Sequence, residues 1–102
     1  MPRRSKPRAA ADAVFKALGN PARLTIVRSL MGGERCVCDL VEACGLGWST
    51  TSRHLDVLRQ AGVVSSEKRA QKIFYRIELA CVMELISCLD GACTTSDRRC
   101  AR

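Results

Sequence analysis

Four short amphipathic helices, a basic β-hairpin and a closing helix, in that order, predict a mainly α winged helix-turn-helix domain. Three observations carry this expectation. Apolar residues between 11 and 60 recur at helical spacing in runs broken by glycine. The stretch VVSSEKRAQKIFYRI reads as two strands around a polar, basic tip. The 102-residue chain carries a formal charge of +7 with a pI near 9.4, a field that favours an anionic partner, nucleic acid first.

Taken in order, residues 1–8 (MPRRSKPR) hold four basic groups and two prolines and read as a flexible arm. Ala11, Val14, Phe15 and Leu18 mark a first helix, stopped by Gly19. Asn20 and Pro21 form an N-cap and first-turn pair for a second helix over Ala22–Met31. Its stripe is Leu24, Val27 and Met31, widened by Ile26 and Leu30. Val37, Leu40, Val41 and Cys44 define a third helix with Gly45 as its stop. The turn GLG leads into a fourth, Trp48–Gln60, with Thr51, Leu55 and Leu58 facing inward. Strands over Val63–Ser66 and Ile73–Ile77 flank a tip at Glu67–Lys72. A last helix, Glu78–Leu89, aligns Val82, Leu85, Ile86 and Leu89. The domain thus covers residues 9–89, and residues 90–102 form a cysteine-containing tail.

Hydrophobic content of 47% with 26% charged residues describes a globular chain, and only 4% aromatics make its core aliphatic. A core of this size is limited, so a homodimer is the natural supplement. The chain has no long apolar span and no apolar signal-peptide core at its start, so a cytoplasmic, non-membrane protein is expected. Seven cysteines, an odd number, fit reduced thiols free to bind soft metals better than a disulfide framework.

Two segments carry chemistry. The fourth helix opens with Trp48, Ser49, Thr50, Ser52, Arg53 and His54. Small hydroxyl side chains let a helix approach base edges closely, and Arg53 can donate two bonds to guanine or clamp a phosphate. Ser49 alone is explained as a cap, but the cluster joined to Arg53 is not. Trp48 either packs at the helix entrance or stands at the groove edge. His54 either touches DNA or hydrogen-bonds within the motif. On the hairpin, Lys68, Arg69 and Lys72 lie where they can follow the phosphate backbone; a solvated charge run is the plainer reading.

The second segment is GERCVCDL. Cys36 falls at a helix cap with Asp39 three positions on, a capping-box spacing with cysteine in place of serine. Within a regular helix, residues i and i+2 point roughly 200° apart, so the Cys36 and Cys38 sulfurs do not meet there. With Cys36 outside the helix, modest unwinding brings them together. The helix N-terminus favours thiolate, which suits a soft, sulfur-seeking ion.

GNPARLTIVRSL, GERCVCDL, STTSRHLDVLRQAGVV and KIFYRI, in this order and spacing, resemble the ArsR/SmtB family of metalloregulatory repressors over about Phe15 to Leu89. ERCVCDL looks most like the arsenic-responsive members and shares its form with cadmium/lead relatives. The resemblance implies a homodimer, joined through its first and last helices, on a palindromic double-stranded operator. It also implies release of that DNA when As(III) or Sb(III) binds through thiolates, with Cd(II) or Pb(II) as the alternative inducers and no constitutive cofactor. Relatives place a third cysteine three residues past the second; here that residue is Val41. The expected metal ligands are therefore Cys36, Cys38 and, from the tail, Cys93 ahead of Cys100, unless an exogenous ligand completes the set. Trp48 stands where many members have glutamine, and Ala70 where many have glycine. The family's other zinc site, on the last helix, needs acids and histidines; that helix offers Glu78 and Glu84 but no histidine.

Two rivals complete the expectation. A thiol-redox repressor would use the same fold and form a disulfide or persulfide. An enzyme is disfavoured: Cys93 and Arg99 fit a cysteine–five–arginine phosphate loop, but they lie in a terminal tail that lacks the strand and helix such a loop joins.

Overall fold

Asn20 shows how closely local chemistry sets the elements. Its side-chain oxygen accepts from the backbone N–H of Ala22 (2.8 Å) and of Arg23 (3.2 Å), and Pro21 occupies the first turn. Helix α2 therefore runs Pro21–Leu30, after α1 over Ala11–Leu18. A computed structural model describes residues 10–92 of the chain. After α2 come β1 (Arg35–Cys36), α3 (Val37–Cys44), α4 (Trp48–Gln60), β2 (Val64–Arg69), β3 (Lys72–Ile77) and α5 (Ala80–Ser87), followed by a wide helical turn over Cys88–Ala92. The architecture is mainly α with a small β wing, as the sequence predicts.

Helix α3 ends on Gly45 in the left-handed conformation (φ 69°), with its N–H on the Val41 carbonyl at 3.0 Å. Cys36 does stand at the N-cap, in extended conformation, but its side chain makes no capping hydrogen bond. The capping-box expectation is corrected on that point: the sulfur turns toward Cys38 instead.

The core gathers one face of each element: Ile26, Val27, Leu30, Leu40, Leu55, Leu58, Val63 and Ile86 are at most 2% exposed. On α2 the buried centre is Ile26, Val27 and Leu30, while Leu24 and Met31 pack at its margin. Other apolar residues of the predicted stripes stay outside. Phe15 on α1 is 62% exposed, Leu85 on α5 38% and Leu89 beyond it 71%. Helix α5 starts later than the periodicity suggests. The N–H groups of Glu78 and Leu79 are drawn to the Val63 carbonyl, at 2.8 and 3.4 Å, before the first helical turn can form. Among the described residues, no helix is long and apolar enough to cross a membrane.

The sheet has three strands, ordered β1-β3-β2 and antiparallel throughout. The two-residue strand β1 pairs Arg35 with Tyr75 and Cys36 with Phe74, a contact the sequence did not suggest. The hairpin is tighter than expected. Register runs to Arg69↔Lys72, so the tip is Ala70–Gln71, not Glu67–Lys72. The added rungs are held by Arg69, which lies 4.8 Å over the Phe74 ring and pairs with Glu67 at 3.1 Å. Two-residue turns require a positive φ, and Ala70 supplies it at 55° despite its Cβ. That conformation costs an L-residue about 1–2 kcal/mol, against about 0.5–1 kcal/mol of extra chain entropy for glycine. Ala70→Gly should therefore stabilise the fold by about 0.5–1 kcal/mol. Thermal unfolding checks this; an unchanged or lower Tm would show that the turn is not strained.

Candidate functional site

Helix α4 is seated by Thr51, Leu55 and Leu58, each fully buried, as its periodicity predicts. The opposite face carries the predicted reading residues. Ser49, Thr50, Ser52 and Arg53 are exposed, and Trp48 is 58% exposed, so it stands outside and does not pack at the helix entrance. The N-cap is Gly47, with no side-chain cap bond, so Ser49 does not serve as the cap. A helix start that projects hydroxyls, a guanidinium and uncapped N–H groups suits phosphate and base edges.

His54 is half-buried and is held from the motif side. Arg23 Nη1 lies 3.3 Å from His54 Nδ1, while Arg23 Nε donates to the Ala17 carbonyl at 2.7 Å. Burial, and then the neighbouring Arg23 charge, keep the imidazole below its ordinary pKa. A neutral ring accepts at Nδ1 from the guanidinium and keeps its proton on Nε2. Arg23 thus ties a terminal carbonyl of α1 to α4. Nothing in the sequence singled it out, because one arginine in a helix reads as a surface charge. Charge-assisted bonds of this kind are worth about 1.5–3 kcal/mol, so Arg23→Ala should cost about 2 kcal/mol. Chemical denaturation is the check; a loss within error of zero would contradict the bridging role.

The three wing cations divide. Lys68 and Lys72 are exposed on the paired strands. Arg69 is engaged: its Nη2 lies 2.6 Å from Glu34 Oε2 as well as 3.1 Å from Glu67 Oε1, and the two carboxylates raise its pKa. The guanidinium fastens the hairpin to the residue that precedes β1.

The thiol pair lies at that same seam. Cys36 is buried at 6% exposure and Cys38 is exposed, yet their sulfurs are 3.0 Å apart. They meet without unwinding of α3, because Cys36 is extended (φ −73°, ψ 151°) and only Cys38 is helical. The Cys38 thiol donates to Cys36. That bond lowers the Cys36 pKa, the backbone N–H of Cys38 and the Lys72 ammonium help, and burial and Asp39 oppose. Cys38 moves the opposite way, chiefly because its proton is held in that bond. The pair is therefore unequal: Cys36 is the thiol that loses its proton more readily, and Cys38 holds its own in the bond between them.

No group of three or more His, Cys, Asp or Glu side chains placed to hold a metal occurs among the described residues. Val41, at the relatives' third-ligand position, is half-buried. Cys44 is half-buried against α2, with its sulfur 3.9 Å from the Ala22 carbonyl. Cys81 is exposed and Cys88 half-buried on the last helical segment. The expected third ligand, Cys93, lies outside the described residues, as do Cys100 and the basic arm.

Residues 20–66 match the family model described as "Bacterial regulatory protein, arsR family". The chain is 34% identical over 86 residues to the biofilm growth-associated repressor of Xylella fastidiosa, covering 84% of this chain and 75% of that protein. It is 37% identical over 73 residues to the cadmium resistance transcriptional regulatory protein CadC of Listeria innocua, covering 71% and 61%. The homodimeric winged helix-turn-helix DNA-binding domain from Mycobacterium bovis, solved by NMR, superposes with a TM-score of 0.72 at 32% identity, over 78% of this chain and 74% of that one.

Proposed function

The chain belongs to the arsR family of bacterial regulatory proteins, regulators and not enzymes, and from that premise we propose that it is a transcriptional repressor gated by its Cys36–Cys38 pair. It acts as a homodimer on double-stranded operator DNA. Exposed Phe15, Leu85 and Leu89, on the first helix and the last helical segment, support that assembly. Helix α4 enters the major groove, where Ser49, Thr50, Ser52 and Arg53 meet bases and phosphates, with Trp48 at the groove edge and His54 at its rim. Lys68 and Lys72 take phosphates alongside. Arg69 belongs to the same wing, but its main task is holding the wing to Glu34. The arm at residues 1–8 adds non-specific attraction.

The observation that carries the switch is the 3.0 Å contact between a buried and an exposed sulfur at the start of the helix preceding α4. Two sulfurs suffice for a disulfide, and two sulfurs with a further donor suffice for Cd(II) or Pb(II). A relative concerned with cadmium resistance supports the second route. As(III) or Sb(III) in a three-thiolate site draws on the tail, through Cys93. The pair itself fits two-thiolate ligation, and oxidation asks nothing further of the chain. We therefore place thiol oxidation first, Cd(II)/Pb(II) next, and As(III)/Sb(III) after them.

A labelled duplex selected from a random pool by repeated binding serves as the probe. Fluorescence anisotropy with peroxide, cadmium, lead, arsenite and antimonite in turn reads the effector. Peroxide should release the duplex and dithiothreitol restore it. Retention of DNA under all five additions would overturn the reading.

A further inference from the structure

We propose that the thiol pair controls the wing, through strand β1, and not the seating of the reading helix. This rests on the reading of Cys36 and Cys38 as the switch, and it names the path by which the switch acts.

Cys36 has two structural duties at once. Its sulfur touches Cys38, and its backbone forms the last rung of the β1–β3 ladder, opposite Phe74. That ladder has only two rungs. It is supplemented by one ion pair, Glu34 to Arg69, from the residue just before β1. The base of the hairpin is seated in the core by Val64 and Tyr75; the outer wing beyond them is held to the body along Glu34 to Cys36. The reading helix is fastened quite differently, by Thr51, Leu55 and Leu58 in the core and by the Arg23 bridge to His54. A local change at Cys36 meets the weaker fastening first.

The chemical step balances with a peroxide as oxidant. The Cys36 thiolate attacks one peroxide oxygen, the O–O bond breaks, and hydroxide leaves, taking up a proton as water. The resulting sulfenic acid is attacked by Cys38, whose proton leaves with the sulfenic oxygen as a second water. Two thiols are oxidised by two electrons, and one peroxide is reduced to two waters. The product joins residues 36 and 38 in a ring with one residue between them. Closing the sulfurs from 3.0 Å to an S–S bond of about 2.05 Å draws the Cys36 backbone toward Cys38 and away from its rung opposite Phe74. β1 leaves the sheet, and Lys68 and Lys72 lose their fixed position.

Hydrogen exchange of the full-length chain, reduced and after stoichiometric hydrogen peroxide, tests this, with peptide mass mapping to locate the disulfide. Exchange over residues 34–36 and 72–76 should rise about tenfold on oxidation, while residues 49–58 stay as protected as before. In parallel, the salt slope of duplex binding should fall by about 4 on log axes, from two lost phosphate contacts in each protomer of the dimer. A Cys36–Cys38 disulfide accompanied by loosening of α4 with an unchanged wing would overturn this path and leave the switch standing. Absence of that disulfide under peroxide would overturn the redox switch and the path together.

Discussion

Leu89→Glu is expected to turn the dimer into monomers and to weaken duplex binding about a hundredfold or more. The side chain is 71% exposed in the protomer, so the charge adds little strain to the isolated fold. Across the proposed dimer seam, with Phe15 and Leu85 of two copies, the same carboxylate would be buried without a partner, a penalty of several kcal/mol. Two half-sites engaged at once give the affinity that one reading head lacks. Sedimentation at micromolar concentration reads the assembly, and circular dichroism confirms the fold. A variant that sediments as a dimer would remove this face from the interface.

Arg53→Ala is expected to lower specific affinity by about 1–3 kcal/mol at each half-site. Arg53 sits on the exposed face of α4, away from the buried Thr51, Leu55 and Leu58, so thermal stability should stay within error of the parent. The form of the loss distinguishes two roles. If Arg53 reads guanine, the variant tolerates base changes at one operator position and keeps its salt slope. If it clamps a phosphate, all sequences weaken alike and the slope falls by about 1 for each half-site, about 2 for the dimer. Unchanged affinity on every duplex would mean that α4 does not enter the groove in the orientation proposed.

These expectations stand on features of unequal legibility. Helix α4 could be bounded to the residue because its buried positions form one uninterrupted stripe ending at glycine. Asn20 and Gly45 were legible because each acts on its own neighbours. Strand β1 was not: two residues show no periodicity, and their pairing partners lie some forty positions away. The hairpin tip was drawn too wide because Lys68, Arg69 and Lys72 look like loop composition, whereas Arg69 stabilises the last rungs through Phe74 and Glu67. Phe15, Leu85 and Leu89 show where periodicity stops informing. It marks an apolar face but does not say whether the core or a second copy covers it. For the thiols, spacing placed Cys36 outside α3, and three-dimensional geometry then showed that the sulfurs already touch.

Cys36 and Cys38 together are the proposed switch. Its most direct test is duplex binding by anisotropy before and after peroxide, on the parent chain, Cys38→Ser, and Cys36→Ser/Cys38→Ser, with Cys81→Ser as control. Cys38 is exposed, so its single variant keeps the core intact. The parent and Cys81→Ser should lose at least about tenfold in affinity, about 1.4 kcal/mol, while both Cys38 variants bind alike before and after. Equal release of the double variant by peroxide would contradict the switch.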